Sequence, residues 1–171
     1  MDTKRESFRE KAVIMTGNAA SCAALGILKE NREELEKRYP IRYLRDALGT
    51  LESELKTSFP EEAEDRFVSV SCSRGGVFEA LWKLGEALDC VLTFGLSEIP
   101  VLQCTIEFCD YMDINPYEAD STGCMVIATA EPGKTLEYIR GKGFKAEIIG
   151  YTTPVKARII KGSTVRYLTK T

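Results

Sequence analysis

Apolar and polar residues alternate in short blocks along the chain, and the blocks change period from two to roughly four. The run Ala12-Val13-Ile14-Met15 is long enough for one buried strand and ends in Thr16-Gly17-Asn18, a strand-to-helix junction. The pattern predicts a helix over Ala19–Arg38, whose first half is built of small residues that permit close backbone packing. Pro40 stops it. A second helix is predicted over Ile41–Leu48, and the polar stretch Glu52–Asp65, interrupted by Pro60, reads as a connection with one helical turn.

A strand is expected over Phe67–Cys72, with Val68, Val70 and Cys72 on one face and Ser69, Ser71 and Ser73 on the other. A helix follows from Val77 to Leu88, then a strand Val91–Phe94 and a helix Val101–Met112. Both helices are polar along one narrow stripe only (Glu79, Lys83 and Glu86; Gln103, Glu107 and Asp110), so each needs a central position or another domain or subunit against it. Asn115-Pro116-Tyr117-Glu118 and Ser121-Thr122-Gly123 are turns, and Cys124–Ala130 is a strand. Pro132 opens a helix to Arg140, which Gly141 and Gly143 end. The strand Lys145–Tyr151 and a hairpin of Val155–Ile160 with Val165–Leu168 complete an α+β domain with one mixed sheet layered with helices.

Composition narrows the chemistry. The 171 residues are 44% apolar and 29% charged, which suits one globular domain over residues 1–171 with a charged arm over 1–11. There is no histidine, so histidine-dependent nucleophiles, zinc sites of the H-E-x-x-H kind and imidazole acid/base catalysis are excluded. The six cysteines form no C-x-x-C, sit mostly in apolar runs and read as buried reduced thiols; no metal site is expected. The first residues lack the apolar core of a signal peptide and no apolar stretch nears the length of a membrane span, so a cytoplasmic protein without membrane association is expected.

The net charge of −3 conceals a strong asymmetry. Residues 84–131 carry nine acids and no Lys or Arg, whereas residues 132–171 carry nine bases against Glu137 and Glu147. Self-neutralisation between the blocks accounts for the basic tail more simply than nucleic-acid binding, which is not expected.

The best local site is Ser71-Cys72-Ser73-Arg74-Gly75-Gly76. A strand delivers two hydroxyls, the glycines allow close approach to a helix N-terminus, and Arg74 adds a fork suited to phosphate or carboxylate. Paired glycines at a helix start also serve close packing alone. Ser121 and Gly123, in another hydroxyl-bearing turn, join the candidate anion-binding set; Cys72 is aimed inward and no catalytic residue is assigned.

The order Arg74-Gly75-Gly76-Val77-Phe78-Glu79-Ala80-Leu81-Trp82, Ile99-Pro100-Val101, Thr105-Ile106-Glu107, Asn115-Pro116-Tyr117, Ser121-Thr122-Gly123 and Ala146-Glu147-Ile148-Ile149-Gly150 resembles the C-terminal domain of the aminoimidazole ribonucleotide synthetase superfamily, in its synthetase-related and hydrogenase-maturation-factor branch. The resemblance is strongest over residues 67–152. It implies a mixed-sheet α+β domain that, in complete members, packs behind an N-terminal domain holding ATP and magnesium. Such enzymes phosphorylate an oxygen of an amide or carboxamide-like substrate and are usually dimers. Two departures stand out: Ser71 and Ser73 replace an Asp-x-Thr pair, and the ending Tyr167-Leu168-Thr169-Lys170-Thr171 lacks the cysteine of the carbamoyl-dehydrating enzymes. The expectation is therefore a domain not catalytic alone. It would bind a small anionic or phosphorylated ligand or dock to a separate ATP-binding half, with no cofactor in isolation and ATP and magnesium only where a partner supplies that half. A subunit of a split ATP-dependent synthetase and a degenerate structural or regulatory homodimer are the alternatives.

Overall fold

The computed structural model describes residues 10–56, 67–153, 159–161 and 166–167. Its strands are β1 (Ala12–Thr16), β2 (Val68–Ser71), β3 (Val91–Gly95), β4 (Met125–Thr129), β5 (Ala146–Thr153), β6 (Ile159–Lys161) and β7 (Arg166–Tyr167). They form one sheet in the order β2-β4-β1-β5-β3-β6-β7. Every pairing is antiparallel except β3 with β6, so the sheet is mixed, as expected. The helices are α1 (Ser21–Glu30), α2 (Arg32–Arg38), α3 (Ile41–Leu55), α4 (Gly76–Ala87), α5 (Gln103–Tyr111) and α6 (Pro132–Gly141).

The interior strand β1 is buried on both faces, which its unbroken apolar run requires. Val13 and Met15 face one core with Leu92, Phe94, Val126 and Ile149, closed by Val77, Leu81 and Leu84 of α4. Ile14 faces the other with Met125 and Ile127, closed by Ile139 of α6. A third core gathers α1, α3 and α5 where β1 ends, through Ala24, Leu28, Leu44, Leu51 and Phe108. The small residues of α1 serve as read: Ala20 and Ala24 are fully buried and let neighbouring helices approach.

Several expectations need correction. The helix predicted over Ala19–Arg38 is two helices, broken at Asn31 (φ −116°, ψ 26°). The Asn31 side-chain amide donates to the Ile27 carbonyl, 3.1 Å away, so a polar residue competes with the helical ladder and lets the chain bend. The second helix runs on to Leu55 rather than stopping at Leu48, because Leu44, Ala47 and Leu51 continue one buried stripe. Val68 is 38% exposed rather than inward with Val70 and Cys72, since β2 pairs only with β4 among the described residues. Helix α4 takes the central position: beyond the sheet, Phe78 stacks on Tyr117 at 5.5 Å between ring centroids. On α5 the expected uncovered apolar face reduces to Ile106, 44% exposed. The arm over residues 1–9, the connection over 57–66 and most of the terminal hairpin lie outside the described residues.

None of the six cysteines is in a disulfide; five are buried and Cys22 is half-buried. Burial pushes the Cys109 thiol up to about 11 and the Cys124 thiol up to about 12, against an ordinary 9.0, and raises Cys72 and Cys104 as well. A thiol that holds its proton more tightly when folded contributes stability fully present below about pH 9 and lost as pH rises toward the folded values. Urea midpoints in reducing buffer should therefore fall steeply above pH 9, each thiol adding up to about 1.4 kcal/mol per pH unit. A midpoint unchanged between pH 8 and pH 10.5 would contradict this.

Candidate functional site

The junction after β1, the loop after β2 and the turn before β4 come together at one end of the sheet. Antiparallel pairing forces this, because Ser71 and Thr16 both stand opposite Met125. The backbone N–H of Cys72 donates to the Cys124 carbonyl at 2.9 Å, and those of Gly76 and Ser121 both donate to the Ser73 carbonyl at 3.0 and 3.1 Å. The two stretches singled out by sequence, 71–76 and 121–123, are thus neighbours.

Their members differ in what they can offer. Ser71, Ser73 and Arg74 are exposed, and Gly75 is half-buried. Gly76 is buried at φ +73°, and a Cβ there would lie 2.5 Å from the Tyr117 carbonyl oxygen. Close backbone approach is therefore one reason for the glycine pair. Ser121 is fully buried: its Oγ accepts the Ala20 N–H at 2.9 Å and donates to the Ala119 carbonyl at 3.0 Å. That bracket holds Ala20 at φ 56°, a left-handed conformation that alanine rarely adopts, at the entry to α1. Gly123, at φ +100°, shapes the turn.

The N-terminus of α4 already faces a carboxylate of the chain itself. Glu79 accepts from the Ser73 hydroxyl at 3.1 Å, pairs with Lys83 at 2.7 Å and is held below the ordinary carboxylate range by Lys83 first, then Ser73 and the Gly75 backbone. A bound anion must move Glu79 aside or meet Arg74 instead.

Sequence reasoning missed a second polar knot. Asp120 accepts from the Thr122 hydroxyl at 2.6 Å and the Thr122 N–H at 3.0 Å. Burial alone would raise its carboxyl, but Thr122, the Cys22 thiol and the positive charge of Arg74 together lower it. Cys22 responds oppositely: burial, then the Asp120 charge and hydrogen bond, raise its thiol, which stays protonated. Arg74 is thus exposed, and its charge reaches Asp120. The buried Cys72 is raised by burial first and is no thiolate, as its inward register predicts.

Beside this knot a cleft of about 130 Å³ opens between Gly17 and Asn18, the end of α3, Thr122-Gly123 and Gly143-Phe144-Lys145. Glu54, its side chain 15% exposed, joins them: Oε2 accepts from the Asn18 amide and Oε1 from Lys145 Nζ, each at 2.8 Å. Nothing local marks Glu54 in the sequence, since Asn18 and Lys145 lie 36 and 91 positions away.

No family model and no curated protein matches the chain. Solved structures do. Escherichia coli HypE, a hydrogenase maturation protein, superposes over 96% of this chain and 50% of its own, with a TM-score of 0.66 and 16% identity. The chain has the fold of one half of that protein. A HypE–HypF complex matches over 94% of this chain and 53% of the other at 0.63 and 19% identity. Thiamine-monophosphate kinase from Stenotrophomonas maltophilia matches over 89% and 50% at 0.63 and 13% identity. The chain spans about half the length of each of these proteins. Among the described residues no helix is long and apolar enough to cross a membrane.

Proposed function

We propose that this domain is one half of a two-part ATP-dependent enzyme. It is not catalytic without an ATP-binding half supplied from outside these 171 residues, and it brings to the pair the anion-binding end of its sheet. The observation that carries this reading is the extent of the match: nearly the whole chain corresponds to half of HypE and half of thiamine-monophosphate kinase. A HypE of this fold is seen in complex with ATP, and a related ThiL in complex with AMPPCP and TMP. Magnesium and nucleotide would enter with the other half.

In this reading Arg74 is the group that meets a phosphate-bearing ligand. Its side chain is exposed, its charge helps to lower the Asp120 carboxyl, and it makes no ion pair among the described residues. Ser71 and Ser73 add hydroxyls beside it and Gly75 a backbone approach, while Gly76, Ser121 and Gly123 keep the loops in place. A guanidinium–phosphate contact is worth roughly 1.5–3 kcal/mol, so Arg74→Ala should weaken pyrophosphate binding by at least about tenfold in calorimetry. Equal affinity in wild type and variant would remove this loop from the site.

A further inference from the structure

The cleft beside Asn18 uses none of the anion-binding residues except Gly123, and its chemistry has the opposite sign. We propose that it binds a small primary ammonium compound, and that Lys145 occupies the ammonium position while the cleft is empty of ligand.

Three observations converge. The first is the asymmetry of the Glu54 contacts. Asn18 is 7% exposed and Glu54 presents 15% of its side chain, so both are held by the fold. The Lys145 side chain is 65% exposed on a flexible stem. An ion pair so open on one side is worth under about 1 kcal/mol, so another ammonium can replace it at small cost.

The second is the helix end. Ser53, Glu54 and Leu55 line the cleft from the last turn of the 15-residue α3. The final four carbonyls of a helix have no intrahelical partner, and the dipole there is negative. A carboxylate in that turn is disfavoured unless a cation shares the space. Glu54 and the helix end therefore select for positive charge together, and Lys145 Nζ at 2.8 Å shows that a primary ammonium meets the geometry.

The third is room. The cleft of about 130 Å³ adjoins a hollow of about 350 Å³ that also borders Gly17, Asn18, Phe144 and Lys145. A departing lysine side chain and an entering small amine can both be accommodated.

The test uses the full chain with ethylammonium as the probe and tetramethylammonium, which carries the same charge but no N–H, as the control, at constant ionic strength. Wild type should be raised in thermal midpoint by ethylammonium and not by tetramethylammonium. Lys145→Ala, freed of its internal competitor, should bind ethylammonium up to about fivefold more tightly than wild type, read from the concentration dependence of the midpoint. Glu54→Gln should lose the effect. Should Glu54→Gln fail to fold, Lys145→Ala decides alone. A Lys145→Ala midpoint that responds equally to the two ions, or binding no tighter than in wild type, would mean that the Glu54–Lys145 contact only ties α3 to the sheet, and would overturn the proposal.

Discussion

Replacing Gly76 with alanine should destabilise the domain by about 3 kcal/mol, among the larger effects a single methyl group can have. Two causes add. The residue sits at φ +73°, where any side chain strains the backbone. Its new Cβ would also lie 2.5 Å from the Tyr117 carbonyl oxygen and 2.8 Å from that of Ala119, and neither is a flexible tip that can swing away. These carbonyls belong to the loop that delivers Asp120 and Ser121, so the damage is expected to reach the site. The neighbouring glycine provides the control. A Cβ on Gly75, at a normal φ of −79°, would meet the Glu79 side chain, whose carboxylate can swing away but whose Cβ, 2.8 Å off, must shift slightly, so Gly75→Ala should cost clearly less than Gly76→Ala, about 1–2 kcal/mol. Urea denaturation of the two variants checks this; equal losses would contradict it.

A comparable loss, about 3 kcal/mol or more, is expected for Gly150→Ala, here without any contribution from backbone strain. Gly150 stands opposite Phe94 in β3 and Val13 in β1, in the interior of the sheet. An added Cβ would come 2.3 Å from the Thr93 carbonyl oxygen and 2.8 Å from Phe94 Cβ. Relief requires β3 to separate from β5. The register shift between Val13 and Ile14 lies at the same level, so β5 already carries an irregularity there that leaves little freedom to adjust. Gly49 lies mid-α3 with nothing within 4 Å of its would-be Cβ. Gly49→Ala should stabilise by about 0.5–1 kcal/mol, showing that the losses are local rather than general.

The strands were legible because each apolar run is bounded by turn residues. Thr16-Gly17 and Ser121-Thr122-Gly123 bracket β1 and β4, and Pro132 begins α6 where a helix tolerates proline. The break at Asn31 was not legible, because the charged stretch around it has no Gly or Pro and the bend depends on a side-chain amide finding its own helix. The length of α3 was hidden by polar residues that surround a stripe only one side chain wide.

At the site, the loop 71–76 was marked by its glycines and arginine. Its closeness to 121–123 depended on antiparallel register, which no local pattern encodes. The reading of the glycine pair as a phosphate cradle did not anticipate Glu79, three residues into the helix, as the carboxylate that sits there. Cys22 and Glu54 were invisible because their partners come from distant elements; Asp120 bonds Thr122 only two positions on, but its interactions with Cys22 and Arg74 depend on the fold. The resemblance drawn from the order of short motifs reached further than any of them, since spacing along the whole chain survives where single residues have changed.

The central claim is that this half carries an anion-binding surface but no nucleotide site of its own. Calorimetric titration of the 171-residue chain with MgATP and, in parallel, with magnesium triphosphate tests it most directly. The account predicts that both bind only in the range of about a millimolar or weaker, with equal affinity and equal dependence on Arg74, near 4 kcal/mol of binding free energy. MgATP binding tenfold or more tightly than triphosphate would mean that the chain recognises the nucleoside, and would contradict the account.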